Sequence, residues 1–343
     1  MAVNKNAYSP KQFSFLIAEQ DDWGTVNPNS SGSPDNAYVA LDVDSVGSPS
    51  LGVTQVLDPR SGSRVLQATD FFQDIKGSVK ELTASGTATT EGLDILLANI
   101  SGEGLGSASG VYSIASNVVP ATFDATTTNQ VAEQLLSIVI RSGLDGGDLA
   151  FKDCFCTNLV LSGDAGTEGG RIKFSATFKT GSAVASLGAS NHTIDTAITA
   201  NDYFMSAWDA DDRIIAGVAN NLLFSFSLNV TNDVVFAGLI STALEQAFRV
   251  GEISATADFT TKYDDTTDAL WATYNGQTAG ASTGATLMNH QASLATASFG
   301  FKMPSSVLTN VAFSEGDVMS LDCSVKALGV GIASSTAFVE IAC

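Results

Sequence analysis

Apolar and polar side chains alternate most cleanly in two stretches that resemble each other. Thr157–Lys179 reads TNLVLSGDAGTEGGRIKFSATFK, and Thr309–Lys326 reads TNVAFSEGDVMSLDCSVK. Each begins Thr-Asn, alternates briefly, turns through a Gly/Asp/Glu segment and alternates again up to a lysine. In the first, Ile172, Phe174, Ala176 and Phe178 share a face; in the second, Met319, Leu321, Cys323 and Val325 do. Period two with a Gly-rich reversal predicts a β-hairpin with one buried face. A repeat of that pattern at the end of each half predicts an internal duplication.

Other segments extend the parallel. Phe13, Phe15 and Ile17 predict an opening strand, and Val39, Leu41 and Val43 another. Phe71–Leu82 predicts a strand leading to a helix, with Thr89-Thr90-Glu91 as its cap. Leu93, Leu96, Leu97 and Ile100 lie at helical spacing, and Gly102 stops it. The second half offers Ile253–Phe259 as a strand and Asp264–Thr267 as a cap. Leu270, Trp271 and Tyr274 form the apolar face there, and Asn275-Gly276 the stop. Leu135–Arg141, Leu222–Val230 and Leu294–Lys302 also read as strands. Asn27–Asn36 and Gly47–Ser63 read as long loops, which in a compact domain suit the binding of a neighbour. The small, polar, aperiodic residues 183–200 predict a linker between domains at 1–182 and 201–343. The expected fold is mainly β: two tandem domains, each with a short flanking helix.

Composition narrows the function. The chain has 343 residues, of which 44% are hydrophobic, enough for two cores. No apolar run approaches the ~20 residues of a membrane helix, and the N-terminus lacks an apolar signal core, so neither membrane insertion nor secretion is expected. The sequons at Asn29, Asn99, Asn191 and Asn229 read as chance in a Ser/Thr-rich chain. Acidic residues number 36 against 16 basic, a net charge of −20, so the surface repels nucleic acid rather than gripping it.

Candidate chemistry is sparse. Cys154 and Cys156 lack zinc-site spacing and, with Cys323 and Cys343, read as reduced core residues. His192 and His290 stand without a nucleophile context, and there is no Walker or dinucleotide loop. The run Gly106–Gly110 lacks the G-x-S-x-G order. Asp42-Val-Asp44 would begin a calcium loop, but its twelfth position is Val53 rather than glutamate. Asp209, Asp211 and Asp212 read as solvated turn carboxylates. No catalytic residue, cofactor or metal is expected.

Three segments in order carry a resemblance to a family. QFSFLIAEQDDWGTV at Gln12–Val26, Asp74–Lys80 followed by Asp94–Leu97, and LLFSFSLNVTN at Leu222–Asn232 are similar to segments of bacteriophage major tail tube proteins. Trp208–Arg213 and Gln277–Thr286 align to nothing in that pattern. The resemblance implies β-sandwich or split-barrel domains that form rings, edge to edge, stacked into a hollow tail tube through which phage DNA passes without specific binding. It implies a virion protein made in the host cytoplasm, whose partners are itself and the tail terminator, baseplate or tail-tip and tape-measure proteins. Two domains per chain imply a trimeric ring with pseudo-sixfold symmetry; one composite domain would imply a hexamer. Carboxylates are expected to dominate the lumen. The alternatives are a capsid decoration or baseplate component and, in a different class, a carbohydrate-binding or hydrolytic β-sandwich.

Overall fold

Much of the strand pairing of the first half of the chain recurs in the second half. A computed structural model describes residues 13–20, 23–24, 38–47, 54–57, 71–74, 79–102, 111–116, 121–124, 135–141, 148–164, 166, 170–187, 194–195, 212–219, 222–240, 243–278, 281–289, 299–316, 318–331 and 334–343. The protein is mainly β. From the N-terminus, β1 (Ser14–Glu19), β2 (Tyr38–Val46), β3 (Thr54–Leu57), β4 (Phe71–Asp74) and β5 (Lys80–Thr87) lead into α1 (Thr90–Ser101). Then come β6 (Val111–Ala115), β7 (Ala121–Asp124), β8 (Leu136–Arg141), β9 (Asp148–Asp164), β10 (Lys173–Thr180), β11 (Ala185–Leu187) and β12 (Ile194–Asp195). The second half holds β13 (Asp212–Ile215), β14 (Val218–Ala219), β15 (Leu223–Thr231), β16 (Val235–Ile240), β17 (Ala243–Arg249) and β18 (Ser254–Lys262). It ends with α2 (Asp268–Gly276), β19 (Gly284–Asn289), β20 (Gly300–Ser314), β21 (Ser320–Ala327) and β22 (Ala337–Ala342).

The central sheet runs β2–β5–β10–β9–β15–β18–β21–β20, antiparallel throughout. The first four of these strands and the last four hold the same relations. Strand β5 precedes α1 and pairs with β2 and β10; β18 precedes α2 and pairs with β15 and β21. The long strands β9 and β20 each pair by their C-terminal part in this sheet. By their N-terminal part β9 takes β8 and β11, and β20 takes β19 and β22. Strand β1 pairs with β2 and β8, and β13 pairs with β14 and β19. Even the hairpins β3–β4 and β16–β17 occupy the same place, between β2 and β5 and between β15 and β18.

Irregularities repeat too. The β9–β10 register shifts at Thr157 and the β20–β21 register at Thr309, so each Thr-Asn pair marks a β-bulge. In each bulge the threonine hydroxyl donates to the neighbouring strand, Thr157 Oγ1 to the Thr177 carbonyl at 3.2 Å and Thr309 Oγ1 to that of Ser324 at 3.1 Å. A second bulge sits at Asp44 in β2 against β5, and its counterpart at Phe224 in β15 against β18. These registers align Ser45 with Ser225, Thr157 with Thr309, and Lys179 with Lys326. At the first crossing Gly86 is required, since a Cβ there would stand 1.9 Å from the Asp42 carbonyl oxygen.

Helix α1 follows its sequence signals. The Thr89 side chain accepts the Gly92 N–H, and Gly102, in the left-handed region at φ 78°, returns its own N–H to the Ala98 carbonyl. Leu93, Leu96, Leu97 and Ile100 are buried in a cluster that continues through both halves, from Phe15 to Ile341. The Phe15 ring stacks on Phe178 at 5.7 Å, joining β1 to β10. Each such side chain contributes roughly 1.5–3 kcal/mol by leaving water.

The structure departs from the sequence-based expectations in several places. Residues 183–200, expected as an aperiodic linker, carry β11 and β12, which pair with β9 and, in parallel, with β2. Strands of two or three residues have no alternation to read. Phe71–Leu82 is divided between β4 and β5, and Gly47–Ser63, expected as loop, contains β3. Residues 277–286, which matched no pattern, lead into β19. Of the strand expected at Leu294–Lys302, residues 294–298 lie outside the described residues, and β20 begins at Gly300. The stop expected at Gly276 falls one residue later, at Gln277 in extended conformation.

Candidate functional site

The feature set apart from ordinary domain structure is the junction of the two halves, together with the sheet edges it leaves open. At the junction β9 meets β15, antiparallel, in register from Ser225 opposite Asp164 to Thr231 opposite Asn158. The Asn232 N–H extends this ladder to the Thr157 carbonyl at 3.0 Å. Phe226 lies over Gly163, where a Cβ would come within 2.6 Å of the ring, so a bulky side chain faces one that has none.

Side chains lock the junction. Arg249, fully buried at the end of β17, donates to the Asn99 carbonyl (2.8 Å) and the Ile100 carbonyl (3.4 Å) at the C-terminus of α1, and to the Cys156 carbonyl (3.1 Å). Its guanidinium also lies 5.3 Å from the centre of the Phe155 ring. Burial lowers its pKa to about 10, so it remains a cation at neutral pH. Its position at a helix C-terminus, where unsatisfied carbonyls concentrate partial negative charge, offsets part of that desolvation. Asn232 Nδ2 donates to Ile100 O at 2.9 Å, and Lys179 pairs with Asp233 at 2.7 Å. Thus the second half closes the end of the first half's helix.

Among the described residues, the outer strands of the central sheet have no such cover. Beyond Ser306, where β19 stops, the edge of β20 opposite β21 carries no strand among the described residues. The Leu308 backbone is met by side chains, its N–H by Thr283 Oγ1 at 3.2 Å and its carbonyl by Gln277 Nε2 at 3.0 Å. At the equivalent Cys156 the corresponding groups meet Asn99 and Arg249. From Asn310 onward that edge has no strand partner among the described residues. At the sheet's far side, Asp42–Val46 of β2 pair with β5 by one edge only, among the described residues.

The solvent face of the sheet is dominated by hydroxyl and amide groups. Ser324 donates to Asp258 at 2.6 Å and Thr260 to Asp322 at 2.8 Å, while Ser45 and Ser85 bond across β2 and β5 at 2.8 Å. Acids (Asp42, Asp44, Glu81, Asp164, Asp258, Asp322) interleave with lysines (Lys173, Lys179, Lys262, Lys326). Lys173 is tied to Asp44 at 3.0 Å and Lys326 to Glu252 at 3.5 Å.

The residues weighed earlier for chemistry do not converge. His192, His290, Asp209, Asp211 and Gly106–Gly110 lie outside the described residues, and Asp212 begins β13. Asp42 and Asp44 lie in a strand, the latter at the bulge. Among the described residues no group of three His, Cys, Asp or Glu is placed to hold a metal. Cys154, Cys156 and Cys323 are buried and unpaired, and burial pushes the Cys156 and Cys323 thiols up to about 12, far from the thiolate a nucleophile needs. What sequence reading missed is Asp153, a buried carboxylate at φ 52°. It accepts hydrogen bonds from Gln20 Nε2 (2.5 Å), the Gly24 N–H (2.7 Å) and the Ser182 hydroxyl, and so pins the Trp23-Gly24 turn to β9. No periodicity marks it, because it lies where the register of β9 against β8 shifts and the alternation breaks. No protein-family model matches the chain, and no curated protein sequence matches it significantly.

Proposed function

We propose that this chain is the building block of a phage tail tube: a tandem duplication of one β-domain, three copies of which close into a ring that stacks with others around a DNA channel. The supporting observation is the β9–β15 junction, where one repeat's outer strand accepts the next repeat's in a head-to-tail manner. A heterologous contact of this kind generates a ring when the rotation closes. Eight central strands per chain make twenty-four in a trimer. At ~4.8 Å per strand the circumference is roughly 115 Å and the bore roughly 37 Å between backbones, more with strand tilt. A barrel of that size holds an aqueous channel rather than a packed core. Closure also removes edges that otherwise invite uncontrolled association.

In this reading the sheet's polar face lines the channel. Carboxylates were expected to dominate there; the face is also rich in hydroxyls, with Asp258 and Asp322 engaged by Ser and Thr, and Lys173, Lys179 and Lys326 by carboxylates. Lysines held in ion pairs are poor phosphate clamps, which suits a wall past which DNA must slide. The hairpins β3–β4 and β16–β17, inserted at matching points, suit contact between successive rings.

Electron microscopy of the purified protein at rising concentration tests this. Hollow rings or tubes with threefold, pseudo-sixfold end views support it. Solid or unstacked particles at every concentration, with or without a tail initiation complex, count against it.

A further inference from the structure

The internal junction also specifies how the open edges are used. We infer that a second copy docks by Ser45–Gly47, the end of its β2 and the residue after it, along Ser314–Gly316, the end of β20 and the two residues after it, and that this contact covers an aromatic patch formed by Trp271, Phe313 and Tyr263. The inference rests on the ring reading for closure, but its register comes from the chain itself. Matching bulges align β2 with β15 and β20 with β9. Carrying the Ser225–Asp164 and Phe226–Gly163 pairs across that alignment places Ser45 opposite Gly316 and Val46 opposite Glu315. The smaller Val46 in place of Phe226 leaves room for the side chain that Gly163 lacks.

The patch lies beside this edge. Phe313 is 44% exposed although its counterpart, Leu161, is buried at the junction beneath β15. Trp271 on α2 is 40% exposed and packs against Phe313 with ring centres 5.4 Å apart; Tyr263 meets Phe313 edge-on at 5.2 Å. Two aromatic rings packed on a half-exposed Phe313 beside a strand edge are poorly placed in water and well placed to be enclosed. The counterpart helix α1 is enclosed at the internal junction, where Arg249 and Asn232 close its C-terminus. The ring therefore alternates two unlike joints. One is internal and held by a buried cation; the other lies between copies and is sealed by aromatic rings.

Paired cysteines test the register. A mixture of chains carrying Ser45→Cys with chains carrying Gly316→Cys is expected to form a disulfide-linked dimer in high yield on mild oxidation. The double variant is expected to form a covalent trimer. Single-cysteine chains alone serve as controls for the native thiols. Trp271→Ala is expected to raise the concentration needed for ring formation more than tenfold while lowering the monomer's melting temperature by no more than about 2–4 °C. Rings without the cross-link, or rings whose assembly is indifferent to Trp271→Ala, overturn this joint and leave the tube reading standing. Absence of both rings and cross-link overturns the two together.

Discussion

Helices α1 and α2 follow equivalent strands, β5 and β18, yet their surroundings differ sharply. In α1 the run Leu93–Ile100 is buried apart from Asp94, and residues of the second half bond to its last carbonyls. In α2 only Leu270 is buried, the N-cap Thr267 makes no side-chain cap bond, and Gln277 leaves the helix in extended conformation. Asp264 takes over part of the capping, accepting the Thr266 and Thr267 N–H groups at 3.0 Å. The signals of the two helices differ, α1 having the more apolar run and the better caps, and so does their cover: α1 packs against β1, β2, β6 and β9 of its own half, whereas α2 packs chiefly against β20. Helix burial in this molecule thus follows the strands packed over each helix, with the second half adding only the closure of α1's last carbonyls, in keeping with the general finding that tertiary packing supplies most helical stability.

The comparison can be broken most forcefully in the core. Leu97→Ala in α1 removes a buried side chain and is expected to cost about 2–5 kcal/mol in chemical denaturation. Trp271→Ala in α2 of the isolated chain is expected to cost under about 1 kcal/mol; a larger loss would show that α2 is already sealed. Next comes the lock itself. Arg249→Met removes the guanidinium's donations to the Asn99 and Cys156 carbonyls, and since hydrogen bonds from a charged group each contribute about 1.5–3 kcal/mol, a loss of roughly 2–4 kcal/mol is expected. Thr157→Val and Thr309→Val sharpen the equivalence of the bulges. Each removes the same hydroxyl donation, so each is expected to cost about 1 kcal/mol, and a large disparity would separate the two sites.

The smallest effect concerns pH. Burial pushes the Asp233 carboxyl up, but its hydrogen bonds from Lys179 and the Val234 N–H outweigh this and hold it below the ordinary carboxylate value. A carboxyl depressed in the folded state contributes stability above its unfolded pKa of ~3.9 and loses it as pH falls through the folded value. Because the pair is largely exposed, solvent screening limits that contribution to roughly 0.2–1 kcal/mol. Asp233→Asn is expected to flatten this part of the acid titration of stability, as urea midpoints between pH 5 and 2 would record.

Much of this comparison was legible in the residues. The Thr-Asn pairs and the lysines of the two hairpins stand at matched positions, and the cap and stop of α1 are where Thr89 and Gly102 put them. Local signals suffice for such features. The junction was not legible, because β9 and β15 meet across some sixty residues and nothing in either strand names its partner. Nor was the exposure of Trp271, since an i, i+3 aromatic pair such as Trp271 and Tyr274 reads as a core face whether or not anything covers it. The short strands β11 and β12 escaped for want of period, and Asp153 because a buried carboxylate looks, in sequence, like any other acid.

The central claim is that one chain supplies two equivalent sectors of a ring and that its open edges join copies. Native mass spectrometry of the smallest closed assembly tests it most directly. A ring close to three times the 35.4 kDa chain is the predicted result. A closed ring of six chains, in which each chain supplies a single sector, would contradict it.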